Sequence, residues 1–252
     1  MLTRRVVVCL DVAVGRVVKG TGFVNLRDVG DPVNLATRYE REGADEIVFL
    51  DISASAEARG TLLDVARRTA ERLFVPLTIG GGVRTVDDVG LALRAGADKV
   101  SINSASVRRP ALITEAADRF GSQCVVASID AKCEGASWAV YVKGGRERTE
   151  LDAIEWAEEC VRRGAGEVLL TSIDRDGART GYDLALTRAV ADAVAVPVVA
   201  SGGAGSAQDV CDVFEHGKAD AALLAGILHD GVTTVSAVKR AMRVALLPVR
   251  AA

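Results

Sequence analysis

A chain of 252 residues, 49% of them hydrophobic and with a formal net charge of −3, has enough apolar material for one large core or two small ones. The slightly acidic balance argues against a nucleic-acid binder, which is usually basic, and no apolar run nears the roughly 18 residues that suggest a membrane span. Five scattered cysteines without a Cys-x-x-Cys pair read as reduced thiols of a cytoplasmic protein, and two histidines argue against a histidine-rich metal site. At the N-terminus, Arg4 and Arg5 precede a short apolar run that Asp11 interrupts; no small-residue cleavage site follows, so no signal peptide is expected.

That first run, Val6 to Leu10, is apolar without alternation and ends on Asp11. Such a run reads as a strand buried on both faces, as in a parallel sheet. Similar runs predict strands at 5–11, 46–51, 75–80, 99–103, 124–130, 167–172, 196–201 and 221–225. Helical patterns fall between them, near 32–42, 61–73, 85–95, 110–119, 152–163, 183–194, 207–216 and 233–243. Pro32 and Pro110 suit first helical positions, and Gly43, Gly96, Gly164 and Gly217 follow last turns as C-caps would. Two longer loops interrupt the pattern. Residues 12–31 contain Lys19, Gly20, Gly22, Phe23 and Gly30 and read as a lid; residues 131–150, with alternating Trp138–Val142 and a Gly144-Gly145 turn, read as a small hairpin. Eight strand–helix units with no linker or composition break predict an α/β fold, a single (β/α)₈ TIM barrel over 1–252.

The chain also repeats itself. Gly43-Ala44-Asp45-Glu46 parallels Gly164-Ala165-Gly166-Glu167, and Val75-Pro76 with Gly80-Gly81-Gly82 parallels Val196-Pro197 with Ser201-Gly202-Gly203. Ala97-Asp98 parallels Ala219-Asp220, and Val6–Asp11 parallels Val125–Asp130. Two (β/α)₄ halves, about 1–122 and 123–252, account for this.

In a barrel so built, Asp11 and Asp130 end strands one and five and face each other across the C-terminal mouth, where barrel enzymes keep their chemistry. Two carboxylates in unlike environments can divide acid and base work. The glycine turns at Gly80–Gly82 and Gly202-Gly203 let backbone approach an anion closely, next to helix starts that favour negative charge. Asn103-Ser104 and Ala225-Gly226 follow the neighbouring strands. Two such turns at repeat-related positions predict two phosphate sites and a ligand phosphorylated at both ends. Ser172–Gly177, with Asp176 and Gly177, lies beside the second. At the opposite face Arg5, Glu46, Lys99 and Glu167 open strands one, two, four and six, a ring of alternating charge with Asp98 beside it.

Cys9-Leu10-Asp11-Val12, Gly15–Gly20, Gly80-Gly81-Gly82, Asp98–Asn103, Ser128–Lys132, Thr171–Gly177 and Ala200–Gly205 together resemble the cyclase subunits of imidazole glycerol phosphate synthase. The resemblance runs from Met1 to about His229. It implies conversion of the bisphosphate PRFAR and ammonia into imidazole glycerol phosphate and AICAR, in histidine biosynthesis and without a metal or cofactor. It implies Asp11 and Asp130 as the acid/base pair and Lys19 on a mobile loop over the substrate. Substrate and phosphate contacts fall to Gly82, Asn103, Ser104, Thr171, Asp176, Gly177, Gly203, Ala225 and Gly226. A glutaminase subunit would dock at the N-terminal face as the partner in a heterodimer, with Arg5, Glu46, Lys99 and Glu167 gating its ammonia into the barrel and Asp98 beside them at the partner interface. Gly226 departs from the more usual serine. The sister barrel that isomerises ring-opened ProFAR shares the half-repeat and the paired aspartates and is the alternative; a non-catalytic sugar-phosphate binder is a more distant one.

Overall fold

The computed structural model describes residues 2–21, 24–52 and 56–250, and all eight apolar runs form strands in it. They are β1 (Arg5–Ala13), β2 (Glu46–Asp51), β3 (Leu77–Gly80), β4 (Lys99–Ile102), β5 (Val125–Glu134), β6 (Glu167–Ser172), β7 (Val198–Ser201) and β8 (Ala221–Leu224). Each pairs in parallel with the next, and β8 returns to β1 with Arg5 opposite Ala221, so the sheet closes on itself as a TIM barrel. Closure leaves no barrel edge unpaired.

Around the strands run α1 (Pro32–Arg41), α2 (Ala56–Ala70), α3 (Val86–Arg94), α4 (Ser104–Arg108), α5 (Ala111–Phe120), α6 (Ala153–Arg162), α7 (Leu184–Ala193), α8 (Ala207–Glu215), α9 (Gly226–His229) and α10 (Val235–Val244). No helix among the described residues is long and apolar enough to cross a membrane. The starts are specified locally. Asp31 caps α1 by accepting from Asn34 N, with Pro32 in the first turn. Thr85 with Asp88, and Ser206 with Asp209, form reciprocal capping boxes on α3 and α8. These two boxes stand 121 positions apart, so the half-repeat extends to the caps.

Several expected boundaries move, for identifiable reasons. β3 and β7 begin at Leu77 and Val198, after Pro76 and Pro197. A proline has no N–H to give to a ladder; here each offers only its carbonyl, to Ile47 N and Val168 N at 3.0 Å. Pro110 is the cap of α5 instead of its first residue. Gly43, Gly96 and Gly164 take left-handed backbone after their helices, but after α8 that role passes from Gly217 to Lys218 (φ 58°). α2 starts at Ala56, earlier than expected. The largest change concerns the first long loop. Residues Arg16–Thr21 and Val24–Gly30 are antiparallel strands of a hairpin that continues β1, through Val12 opposite Val17. Gly22 and Phe23, part of the expected lid, lie outside the described residues. The second loop is the expected hairpin, made by the extended end of β5 with Ser137–Val142 and then Glu147–Asp152.

Strand residues alternate between two cores, which is why they read as unbroken apolar runs. Val6, Val8, Leu10, Ile47, Phe49, Val168 and Leu170 pack outward against the helices. Val7, Cys9, Val48, Val126, Leu169, Val199, Ala221 and Leu223 fill the barrel interior. At the N-terminal rim, Asp45, Asp98 and Asp220 each clamp the preceding odd strand, accepting from Val6 N (2.8 Å), Leu77 N (2.8 Å) and Val198 N (3.1 Å). Lys239 of α10, only 2% exposed, pairs with Asp45 at 2.7 Å and ties the last helix to the first strands.

Candidate active site

The inward alternation of β1, through Val7 and Cys9, carries Asp11 into the mouth; that of β5, through Val126 and Ser128, carries Asp130 there. The two strands are opposite in the eight-membered ring. Both carboxylates are partly reached by solvent yet hemmed in by loops, and burial raises the pKa of each above the usual carboxylate range. Their surroundings then separate them. For Asp11 the nearby Lys19 ammonium opposes the rise, Asp176 adds to it, and Cys9 Sγ–H approaches at 3.8 Å. Among the described residues no cation offsets the rise at Asp130, and burial pushes it to about 6 even though Asn103 Nδ2 donates to it at 3.0 Å; the Asp176 charge adds to the rise. The Asp176 charge thus acts on both. The other amide atom of that asparagine, Asn103 Oδ1, is buried with no hydrogen-bond partner among the described residues. Thr171 stands opposite Asp130 in the β5–β6 ladder, at the same level of the mouth.

The two glycine turns flank this pair. In the first, Gly81 and Gly82 take φ of 87° and 67°; in the second, Gly202 and Gly203 take 91° and 106°. A Cβ at Gly81 would stand 2.2 Å from Asp51 O, and one at Gly203 the same distance from Gly181 O, so neighbouring backbone excludes any side chain at either. Asn103 and Ala225 lead into the short helices α4 and α9 with the same unusual backbone, φ −114° and ψ −103° against φ −140° and ψ −84°. Ser104 Oγ accepts from Lys143 N of the second hairpin at 2.9 Å. At the β7–β8 end Lys19, Gly177, Gly203, Ala225 and Gly226 line a cavity of about 300 Å³. A hollow of about 380 Å³ beside Asp31, Arg68 and Arg72 lies on the outer helices, away from both aspartates.

At the other end of the barrel the four strand-opening charges close into a ring. Arg5 donates to Glu46 at 2.9 Å and to Glu167 at 2.8 Å; Lys99 reaches the same two carboxylates at 2.8 and 2.6 Å. Thr78 Oγ1 also donates to Glu46, at 2.6 Å. Asp98 stands beside the ring, just before the start of β4. One of its carboxylate oxygens accepts from Leu77 N, as a strand clamp.

Residues 5–234 match the family model described as Histidine biosynthesis protein. The chain belongs to that family. A relative from Myxococcus xanthus (strain DK1622), named imidazole glycerol phosphate synthase subunit HisF, is 73% identical over 99% of both chains. Proteins of the same name from Synechococcus sp. (strain CC9605) and Synechocystis sp. (strain ATCC 27184 / PCC 6803 / Kazusa) are 60% and 56% identical, over 95% and 99% of this chain and 96% and 97% of their own.

Within this histidine biosynthesis barrel, some neighbours of the mouth have no counterpart in the sequence reading. Arg27, Arg179 and Asp230 line the β7–β8 cavity. Alternation from Lys19 across a hairpin would have found Arg27, its ladder partner, had residues 12–31 been read as strands. His229 bridges β1 and α1. Its Nδ1 meets Tyr39 OH at 2.8 Å and its Nε2 meets Cys9 O at 3.1 Å, while burial lowers its pKa to about 4. A neutral ring that donates to the carbonyl and accepts from the phenol satisfies both contacts.

Proposed function

We propose that this chain catalyses the cyclisation step of imidazole glycerol phosphate synthase, taking PRFAR and ammonia to imidazole glycerol phosphate and AICAR. The observation that carries the reading is the aspartate pair: two repeat-related carboxylates between two repeat-related glycine turns, one held beside a lysine and the other pushed to about 6. Ring closure and release of the carboxamide both move protons near neutral pH, which suits a group poised there. Asp130 gives and takes protons at one side of the bound substrate. Asp11, kept more readily ionised by Lys19, is the base at the other. Asn103 orients Asp130 through its amide N–H and has an acceptor, Oδ1, left over for a substrate donor. The substrate phosphates seat on the Gly82–Ser104 and Gly203–Gly226 ends, with Lys19 and Thr171 contributing over the mouth.

Ammonia enters from the far end in this reading. A neutral molecule crosses the interior lined by Val7, Val48, Val126, Leu169 and Val199 at little cost, whereas ammonium would meet the cations of Arg5 and Lys99 and lose its hydration. The ring is thus a gate for a glutaminase partner docked at the N-terminal face. Relatives named as subunits support a partner. Cytoplasmic location fits five free cysteines.

Incubation of the purified chain with PRFAR and an ammonium salt tests the reading. Release of imidazole glycerol phosphate and AICAR is expected. No release, with ProFAR isomerised in a parallel sample, would instead assign the sister reaction.

A further inference from the structure

Three loops of the mouth meet at one carboxylate. Asp230, the residue that ends α9, takes Arg27 on Oδ1 and Arg179 on Oδ2. Arg27 belongs to the first hairpin, while Arg179 sits in the β6–α7 connection in left-handed backbone (φ 57°). All three line the β7–β8 cavity with Lys19, Gly203 and Gly226. Gly226 has no side chain; a Cβ there would stand 3.3 Å from Lys19 Cε and 3.6 Å from Arg179 Nη2. Two guanidiniums and an ammonium thus converge over the first turn of α9. Like charges gathered in so small a space repel, and Asp230 is the anion that holds two of them. Exposed ion pairs contribute little to stability, and the three groups are 26–56% exposed, so the cluster is poorly explained as support for the fold. Each arginine has five N–H groups and spends one on Asp230 in a fixed direction, which leaves donors for a second anion.

We propose that Asp230 is a positioning residue for the substrate phosphate at the β7–β8 end. It holds Arg27 and Arg179 as a paired donor, so the phosphate monoester that seats by Gly203 and Gly226 also fastens the Lys19 hairpin over the mouth. Phosphate binding at this end and closure over Asp11 become one event. The inference rests on the bisphosphate reading above and goes beyond it by naming the groups that couple one phosphate to the hairpin.

Asp230→Asn keeps the shape and removes the charge. With saturating ammonium, its KM for PRFAR should rise about tenfold while kcat changes less than about threefold, because the aspartate pair is untouched. Asp230→Glu should recover part of the loss. Arg179→Gln should raise KM as well, and adding Asp230→Asn to it should cost little more, since both changes remove one arrangement. A readout independent of PRFAR is tryptic cleavage at Lys19 and Arg27. Inorganic phosphate should slow it in the unmodified chain and not in Asp230→Asn. Unchanged KM in Asp230→Asn, fully multiplicative effects of the two variants, or retained phosphate protection would each overturn the proposal. If the unmodified chain turns over PRFAR and is protected by phosphate, such a result sinks this inference alone. If it does neither, the bisphosphate reading falls, and this inference with it.

Discussion

Asp130 and Asp11 are the same residue type at equivalent positions, and the difference between them is environmental. Asp130 near 6, against about 3.9 for an unfolded chain, means that the folded state binds its proton more tightly. Below about pH 4 the group is neutral in both states and has no effect on stability. Above about pH 6 it is ionised in both, and the folded state carries the desolvation cost. The full shift would correspond to about 3 kcal/mol; with solvent reaching the mouth, about 1–2 kcal/mol is the expected effect. Asp130→Asn should therefore resist urea better than the unmodified chain at pH 7.5, and the gap should close as pH falls from 6 to 4. A constant gap across that range would remove the titration argument. Turnover should fall about 10²–10⁴-fold in both Asp11→Asn and Asp130→Asn. A variant keeping more than about a tenth of kcat would release that residue from its role. The pair was readable from sequence because each aspartate closes an apolar run. Arg179 and Asp230 were not, since their meaning depends on which loops the barrel brings together across its mouth.

At the scale of the element, the sequence pattern was most informative where local chemistry decides. Caps, prolines and strand runs mark boundaries to within a few residues, and the capping boxes of α3 and α8 repeat with the halves. It was least informative for residues 12–31, where glycines and short polar stretches hid the alternation of a hairpin. The glycine turns show a different limit. Their presence suggested anion sites that a bulky side chain would block, but their first demand is structural. Gly203 lies at φ 106°, its carbonyl accepts from Gly181 N at 2.9 Å, and a Cβ would meet Gly181 O at 2.2 Å. Gly203→Ala must move the β7–α8 turn away from the β6–α7 connection. Its cost should be about 2–4 kcal/mol, or roughly 4–12 °C in Tm for a chain of this size. A weakened substrate affinity in that variant would not by itself identify a phosphate contact. Calorimetry decides: an unchanged Tm would mean that the turn accommodates a side chain.

For the molecule as a whole, the barrel separates two chemistries along one axis. Strand ends at the mouth bring Asp11, Asp130 and the glycine turns together; strand starts at the far rim bring Arg5, Glu46, Lys99 and Glu167 into a closed ring. Between them the interior is mainly apolar. Glu46 and Glu167 are buried, and each is held by both cations. Taking one cation from such a group leaves carboxylate charge uncompensated, which typically costs about 3–5 kcal/mol for a buried pair. Lys99→Ala should therefore lower Tm by several degrees, but that result alone would not distinguish a gate from a brace. The two readings differ in where activity is lost. On the proposed reading a gate acts on ammonia delivered from a partner, whereas ammonia supplied as a salt would reach Asp11 and Asp130 through the mouth. At a temperature well below its Tm, Lys99→Ala should keep most of its ammonium-dependent turnover. With the glutaminase partner and glutamine it should lose turnover, or hydrolyse glutamine without matching product. Equal loss with both nitrogen sources would mean that the ring only supports the fold, and equal retention would mean that ammonia takes another path.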